Sequence, residues 1–477
     1  MPPSRSSSTA RGQVVTDLEG RRYTLAKLLG QGGQGQVYEV KEGRLAVKLL
    51  RCNSPAERER IRRCIQAVKR LDLDGLPIAS PIAVLRPPHA GYLMHLVAGM
   101  ASLGGMMNPP ADGRSVSEWY IATGGLRARL RRLGIILEVF TRIHGRGLVY
   151  GDPSPQNIFL APAAEHPRAF LIDADNLHVQ GDSAAAGVFT PGYGAPELIC
   201  GRAGPDTLTD AFALAVISFE LLTLVHPFVG DLVHDGEPEL EEAAFNGQMP
   251  WIEHSSDSGN CCSRGIPRDL VVSPEAKKLF KRMFEDGLNE RLLRPGLGEW
   301  GGVFGQAADV AVLCPRCGAS YYAPQTRECP WCGEARPEVS LAVFQLWDPE
   351  IPPPAGGPPG EFVTTPIGSR RSLATMVLAA KQCVQILRRH VHSDITADET
   401  EHALVEATRT REDAIRICNL TKEPLLLVKH AGKDRTTDKL AAGDEKLITI
   451  SSKPPHWHLH FGPLDKLHRA VVFKPMA

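Results

Sequence analysis

This chain has no excess of charge of either sign: Lys and Arg total 54 of its 477 residues, and Asp and Glu also total 54. Without a basic surplus a bulk polyanion is a poor partner, and only local basic patches would serve one. Long apolar runs are missing as well. The longest, Ala211 to Val225, is broken by Ser218, Glu220 and Thr223. It is too short and too polar to span a membrane and suits a buried helix. The opening residues, Met1 to Ala10, are rich in Pro and Ser with no apolar centre, unlike a signal peptide. Residues 1–21 therefore read as a disordered leader. Disulfide-scaffold density is absent too. Eleven cysteines are spread through the chain, four of them at metal-ligand spacing, which points to a reducing cytoplasm. No internal repeat is visible. No Gly-Lys-Ser/Thr follows the Gly-rich stretch near residue 30, which disfavours a Walker-type nucleotide site.

What is present suffices for several cores. The length allows two or three domains, and 43% hydrophobic residues can fill them. Tyr23 to Leu50 alternates β-prone segments with glycines, as a small sheet would. Ser54 to Leu71 is charged with apolar residues at helical spacing, and Leu126, Leu130, Leu133, Leu137 and Phe140 recur at helical intervals up to Gly145. A Cys-rich module occupies 312–335. Residues 345–372, around Pro352 to Gly360, read as a Pro/Gly-rich linker or long loop. Residues 373–477 alternate short apolar runs, such as Pro424 to Val428 and Ala470 to Phe473, with turn signals. That pattern predicts a small β-rich domain of sandwich type.

Short motifs then follow one another in a fixed order. Gly30-Gln31-Gly32-Gly33-Gln34-Gly35-Gln36-Val37 comes first and Ala46-Val47-Lys48 second. Gly151-Asp152, with Asn157 five residues beyond the Asp, precedes Asp173-Ala174-Asp175 and Ala195-Pro196-Glu197. Gly30, Gly32, Gly33 and Gly35 would let backbone N–H groups approach phosphate oxygens without side-chain interference, although a Gly-rich stretch alone also fits a plain hairpin. Lys48 ends an apolar strand, where a lysine is ordinarily a solvated charge. An Asp before Pro, as at Asp152, is ordinarily a turn residue.

The order and spacing of the set resemble the signature of bacterial eukaryotic-like (Hanks-type) serine/threonine protein kinases over about residues 22–304. The resemblance implies an α+β, bilobal protein-kinase-like fold with a β-rich N-lobe and a helical C-lobe. It implies an ATP- and Mg-dependent (or Mn-dependent) transfer of the γ-phosphate to a protein hydroxyl. By residue, it puts Lys48 on the α- and β-phosphates and Asp152 as the base that orients the acceptor hydroxyl and takes its proton. Asn157 and Asp173 become the metal ligands, whose hard oxygens suit Mg²⁺. Met94, His95 and Val97 fall at the hinge where backbone groups would meet adenine, and Val37, Ala46 and Phe159 would sandwich the ring. The glutamate that pairs with the lysine in this family has two candidates, Glu57 and Glu59. Glu59 is favoured, with a solvated helix face as the competing reading. Glu197, Asp210 and Arg294 match structural residues of the fold. Thr190-Pro191 before Ala195-Pro196-Glu197 favours Ser/Thr over Tyr as acceptor.

The chain departs from the family pattern at several positions. Tyr150-Gly151 replaces His-Arg before the Asp, which removes the usual partner of a phosphorylated activation loop. Ser154 replaces the catalytic-loop Lys. Ala174-Asp175 replaces Phe-Gly after the metal-binding Asp. None of these removes a proposed metal ligand or the base, so an active enzyme is favoured over an inactive one.

Cys314-Pro315-Arg316-Cys317 and Cys329-Pro330-Trp331-Cys332 are two Cys-x-x-Cys-Gly knuckles. Such a pair predicts a zinc ribbon: four thiolates around a structural Zn²⁺ with no open position. His456, His458 and His460 would share one strand face, where a polar face is the plainer reading. A kinase domain with a zinc ribbon and a β-rich tail also resembles kinases of tellurite-resistance-type phosphorylation systems. That narrower likeness implies von Willebrand-type and phosphatase proteins as partners, besides a protein substrate with a Ser or Thr hydroxyl. The lack of a long apolar run argues against a membrane partner. Two other readings stay open. One is a pseudokinase scaffold that binds nucleotide and recruits partners through ribbon and tail. The other is a nucleic-acid-binding regulator acting through the ribbon, against which the zero net charge counts.

Overall fold

The structure is a computed structural model that describes residues 12–161, 168–182, 187–349, 362–365, 368–392, 402–431, 434–453 and 455–476. The chain divides into two compact units. One comprises residues 1–120 and 131–302, the other 121–130 and 303–477.

The first unit opens with an antiparallel sheet. Its strands are β1 (Val14–Thr16), β2 (Arg22–Gln31), β3 (Gly35–Val40), β4 (Leu45–Leu50), β5 (Ala83–Val84) and β6 (Gly91–His95), in the order β1-β2-β3-β4-β6-β5. Alternation along a strand sends neighbouring side chains to opposite faces. Val47 and Leu93 thus join Val15, Tyr23, Leu25, Tyr38 and Val40 in a core on one face. Ala46, Tyr92 and Met94 turn to the other face, where helix α1 (Pro55–Val68) packs through Ile61 and Ile65. Ser54 caps α1 by accepting the Glu57 N–H at 3.1 Å, and Pro55 opens its first turn.

The strand Val14–Thr16 corrects the expected leader. Residues 1–11 lie outside those described, but Val14 to Thr16 pair with Thr24 to Arg22, and Val15 is fully buried. A β-branched triplet that finds an open sheet edge is ordered whatever precedes it.

The helical part of this unit follows. It includes β7 (Ala101–Ser102), α2 (Val116–Ala122) as far as Tyr120, α3 (Gly125–Gly145) from Arg131 onward, and the short strands β8 (Leu148–Val149), β9 (Ile158–Leu160), β10 (Ala169–Leu171) and β11 (His178–Val179). Helix α4 (Pro196–Ile199) precedes α5 (Thr207–Thr223). The latter is apolar on nearly every side and buried along most of its length, as its sequence predicts. Asp206 caps it in a reciprocal box with Thr209.

In the second unit, strands Ala311–Leu313 and Ser320–Tyr322 form a hairpin whose turn carries Cys314 and Cys317, with Cys329 and Cys332 following it. Beyond it stand a seven-stranded and a four-stranded antiparallel sheet. Phe344, Met376, Leu427, Leu459 and Phe473 from the larger sheet pack with Val384, Ile386, Val405, Ile415 and Ile448 of the smaller one. That is the expected sandwich, but its strands begin at Val339–Asp348. Phe362–Thr365 and Gly368–Ala379 also take in much of the stretch 345–372 expected as linker. Residues 350–361, which hold the Pro/Gly-rich core of that expectation, and 366–367 lie outside the described residues. Phe362 to Thr365 are β-prone, and pairing with neighbouring strands takes these residues and Ser369 to Ser372 into the sheet.

Candidate active site

Lys48 projects from β4 on the face that α1 covers, and it is almost fully buried. A buried ammonium must be paired. Here its Nζ lies 2.8 Å from Asp175 Oδ1, 3.2 Å from Asp173 Oδ2 and 3.3 Å from Gln34 Oε1. Burial would depress the ammonium, but the charges of Asp175 and Asp173 outweigh it and hold Lys48 above its ordinary value. Asp173 follows β10 and sits in the left-handed region, with φ 60° and ψ 49°. The backbone conformation is unfavourable for a residue with a Cβ and characteristic of functional turns. From it starts a single 3-10 turn, Ala174 to Asn176, that carries Asp175 back to Lys48.

The loop after β8 supplies the other groups. Its backbone is fixed from below by α5. Asp210, fully buried, accepts the Tyr150 N–H at 2.8 Å and the Gly151 N–H at 3.0 Å, with His144 Nε2 at 3.0 Å. Tyr150 donates its phenol to the Ile172 carbonyl and sets its ring edge-on to Phe140, at 5.3 Å between centroids. It thereby ties the loop to the residue before Asp173. Asn157 donates Nδ2 to the Asp152 carbonyl at 3.1 Å, which leaves its amide oxygen as an acceptor. Asp152 accepts from Thr190, from the backbone N–H at 2.7 Å and from the hydroxyl at 2.9 Å. Burial pushes the Asp152 carboxyl up, partly offset by these bonds, and burial also raises Asp173. Three carboxylates around one ammonium leave the site negative overall. The donor set, carboxylates with an amide oxygen and no sulfur or imidazole, is what a hard dication takes.

The glycine-rich turn joins β2 to β3, with the Gly32 N–H bonded to the Gly35 carbonyl at 2.9 Å. Its glycines are not equivalent. A Cβ on Gly35 would stand 2.0 Å from the Leu49 carbonyl oxygen, whereas Cβ atoms on Gly30, Gly32 and Gly33 would meet nothing within 4 Å. Gly35 is needed by the fold, and the other three keep the lip of the turn bare. Below it, Ala46 and Met94 pack with Val37, Val97, Phe170 and Ile172. His95 ends β6 exposed, and Phe159 is half-buried on β9 opposite Phe170.

Glu59 is not part of this site. Its carboxylate pairs with Arg62 at 2.5 Å on the surface of α1, and Glu57 accepts the Asn53 N–H at 2.7 Å. The expectation that Glu59 pairs with Lys48 is therefore corrected. An arginine three residues on along the helix competes for that carboxylate, and the inward positions of α1 hold Ile61, Ile65 and Val68. Sequence reasoning missed Asp175, Gln34 and Tyr92 as members of the cluster. The signal for Asp175 was a carboxylate where the family pattern places glycine. Glu197 and Arg294 do form their ion pair, at 2.7 Å.

With this geometry in place, the chain belongs to the protein kinase domain family, whose profile matches residues 23–295, more than half of its length. Among curated proteins it is similar to serine/threonine-protein kinase Pkn1 of Myxococcus xanthus, 29% identical over 43% of this chain and 29% of that protein. It is also similar to the DNA damage-responsive serine/threonine-protein kinase RqkA of Deinococcus radiodurans, at 27% identity over 48% of this chain and 35% of that one. Serine/threonine-protein kinase PkaB of Streptomyces coelicolor is 29% identical over 44% of this chain and 51% of its own. The chain thus spans about a third to a half of the length of these relatives.

In the second unit, the Sγ atoms of Cys314, Cys317, Cys329 and Cys332 all lie within 4.8 Å of one another. Gly318 and Gly333 follow the knuckles at φ 71° and 72°, the left-handed turn positions that glycine adopts freely. Among the described residues no other group of three or more His, Cys, Asp or Glu side chains converges this closely. His456, His458 and His460 do not form such a group. Among the described residues no helix is long and apolar enough to cross a membrane.

Proposed function

We propose that this protein is an ATP- and Mg²⁺-dependent serine/threonine kinase acting on a protein substrate in the cytoplasm. The observation that carries this reading is the contact at Asp152, whose carboxylate already accepts a threonine hydroxyl at 2.9 Å, within the same cluster as Lys48, Asn157 and Asp173. In the proposed reaction the acceptor hydroxyl takes the place of Thr190 at Asp152. Its oxygen bonds to the γ-phosphorus, the bond to the β–γ bridging oxygen breaks, ADP leaves, and the hydroxyl proton passes to Asp152. Lys48 neutralises charge on the phosphates, and the bare lip at Gly30, Gly32 and Gly33 lets backbone N–H groups approach them. Val37, Ala46 and Val97 offer an apolar bed for adenine, with Met94 and His95 at its edge and Phe159 beneath. Asn157 and Asp173 would hold the metal, which when bound supplies positive charge against the phosphate oxygens.

The four clustered thiols support a structural zinc ion with no open coordination position. Von Willebrand-type or phosphatase partners belong to the same proposal through architecture alone.

The test is transfer of labelled γ-phosphate from ATP–Mg²⁺ to the protein and to a generic acceptor, with Asp152→Ala beside wild type. Label that vanishes in the variant supports the reading. ATP binding without label on either protein would move the assignment to a nucleotide-dependent scaffold, with Ser154 in the place of lysine as the physical reason.

A further inference from the structure

A lysine that serves phosphate must be held at one height above the metal-binding carboxylate, and something must do the holding. Helix α1 does not. Its inward residues are Ile61, Ile65 and Val68. Its two early glutamates are engaged elsewhere, Glu57 with the Asn53 N–H and Glu59 with Arg62. The carboxylate that meets Lys48 comes from the other side of the site. Asp175 places both oxygens on the ammonium, at 2.8 and 3.1 Å.

Asp175 is itself clamped. Tyr92 stands directly across from Lys48 in the β4–β6 register. Its phenol donates to the same Asp175 oxygen that Lys48 binds most closely, at 3.1 Å. Both Lys48 and Tyr92 are buried, so the carboxylate has two fixed donors on neighbouring strands and little rotational freedom.

We propose that Asp175, held by Tyr92, is the positioning residue for Lys48 in place of a helix carboxylate. This deepens the kinase reading and rests on it. Because Asp175 belongs to the same 3-10 turn that starts from Asp173, one short segment sets both the lysine and the metal-binding carboxylate. Helix α1 packs against that turn and beside Tyr92, so it supports the Lys48 pair through packing and supplies no carboxylate to it. A nucleotide phosphate has a place to enter. Four oxygens share the three N–H groups of the ammonium, and the contact to Gln34, on the glycine-rich turn, is the longest at 3.3 Å and the one to yield.

The experiment is a double-mutant cycle on the full chain, with ATP–Mg²⁺ affinity and steady-state transfer both measured. Asp175→Asn is made alone and in Lys48→Met, and Tyr92→Phe is made alone and in the same background. Misplacement of the lysine predicts a loss in kcat/KM for Asp175→Asn of about 100-fold, with a smaller loss for Tyr92→Phe. A residue that acts through Lys48 loses its effect once Lys48 is gone, so neither change should add appreciably in Lys48→Met. Thermal melts report folding, and if Asp175→Asn does not fold, Tyr92→Phe, which keeps the ring, carries the cycle. Wild-type kinetics for Asp175→Asn would overturn the proposal. So would equal losses with and without Lys48, particularly with a raised Mg²⁺ requirement, which would make Asp175 a metal ligand. A loss at Glu59→Gln as large as at Asp175→Asn would return the role to α1. If wild type binds ATP but transfers no label, the kinase reading fails, and the affinity cycle still decides whether Asp175 holds Lys48.

Discussion

Glu197 and Arg294 form a two-pronged pair, with Nη1 2.7 Å from Oε1 and Nη2 2.9 Å from Oε2, between residues far apart in the chain. Both are buried, and Arg294 also donates to the Gly287 carbonyl at 2.9 Å. Removing Glu197 strands the Arg294 charge in the interior, at a cost of about 3–5 kcal/mol, whereas removing Arg294 leaves Glu197 the Arg291 guanidinium at 2.9 Å and should cost less. Glu197→Gln or Arg294→Met should therefore lower the urea midpoint of the first unit, with little effect on any activity that survives. The pH dependence has a definite sign. Burial would raise the Glu197 carboxyl, but the Arg294 bonds and charge outweigh it and hold it below its ordinary value. Stability from this pair is thus present above the unfolded glutamate range, near pH 4.5, and is lost as pH falls through the depressed value. Unfolding of Glu197→Gln followed from pH 6 to pH 3 should show a shallower fall than wild type.

Asp152 shifts the other way. Burial raises its carboxyl, and the Thr190 bonds only partly offset this. A base must be ionised to accept a proton. The acidic limb of the kcat/KM profile, which reports the free enzyme in which Thr190 sits at Asp152, should therefore lie above the ordinary aspartate value of 3.8. Thr190→Val removes the hydroxyl contact at 2.9 Å while leaving the backbone N–H, and should move the limb further up in pH. A profile unchanged by Thr190→Val would show that this hydroxyl does not tune the base.

The contrast between Asp152 and Glu59 shows what the sequence could carry. Lys48, Asp152, Asn157 and Asp173 are readable because order and spacing along the chain fix them, and α5 and β4 then deliver them to one place. The lysine's partner is not readable that way. Glu59 has the expected chemistry near the expected place, but Arg62 on the next turn takes its carboxylate. Which glutamate faces inward depends on helix phase: the apolar stripe of Ile61, Ile65 and Val68 turns Glu59 outward, whereas Glu57, on the stripe's own face one turn earlier, spends its carboxylate on the Asn53 N–H. Asp175 registers in the sequence only as the loss of a glycine, because its function depends on a left-handed residue at Asp173 that no propensity predicts. The same logic applies to the fold. Val14–Thr16 and Phe362–Thr365 carry β-prone residues, but it is pairing with neighbouring strands that makes them strands, a tertiary partner that local composition alone does not record.

Gly35 and Gly33 lie two residues apart and should respond differently to the same change. A methyl on Gly35 would collide with the Leu49 carbonyl at 2.0 Å, a backbone atom that cannot move aside without displacing β4. Lys48 precedes Leu49 on that strand, so the displacement reaches the site. Gly35→Ala should lower both the melting temperature and ATP affinity. A methyl on Gly33 meets nothing within 4 Å, so Gly33→Ala should melt with wild type. Any change it makes in ATP affinity then reports on phosphate approach alone. Equal melting of both variants would contradict the packing described at Gly35.

The cysteine cluster makes a prediction that does not depend on phosphoryl transfer. The four Sγ atoms are close enough to share one ion, with Cys314 and Cys332 at 3.6 Å and Cys317 and Cys329 at 3.7 Å. Cys314, Cys329, Val312, Tyr321 and Ala323 pack with Val339, Val377 and Ala379 of the seven-stranded sheet, so the knuckles are part of a core within the second unit. Losing the ion should open that core, because four thiolates drawn together without a cation repel one another and the turns at Gly318 and Gly333 lose what closes them. The purified protein should release a single zinc ion on thiol modification, measured with a chromogenic chelator. Cys329→Ser should purify with less metal and expose Tyr321 and Trp331 to solvent, seen as a red shift in tryptophan emission. The first unit should keep its own melting transition in that variant. Protein that contains no zinc yet melts with both transitions unchanged after chelation would show that hydrogen bonds and packing alone hold the knuckles.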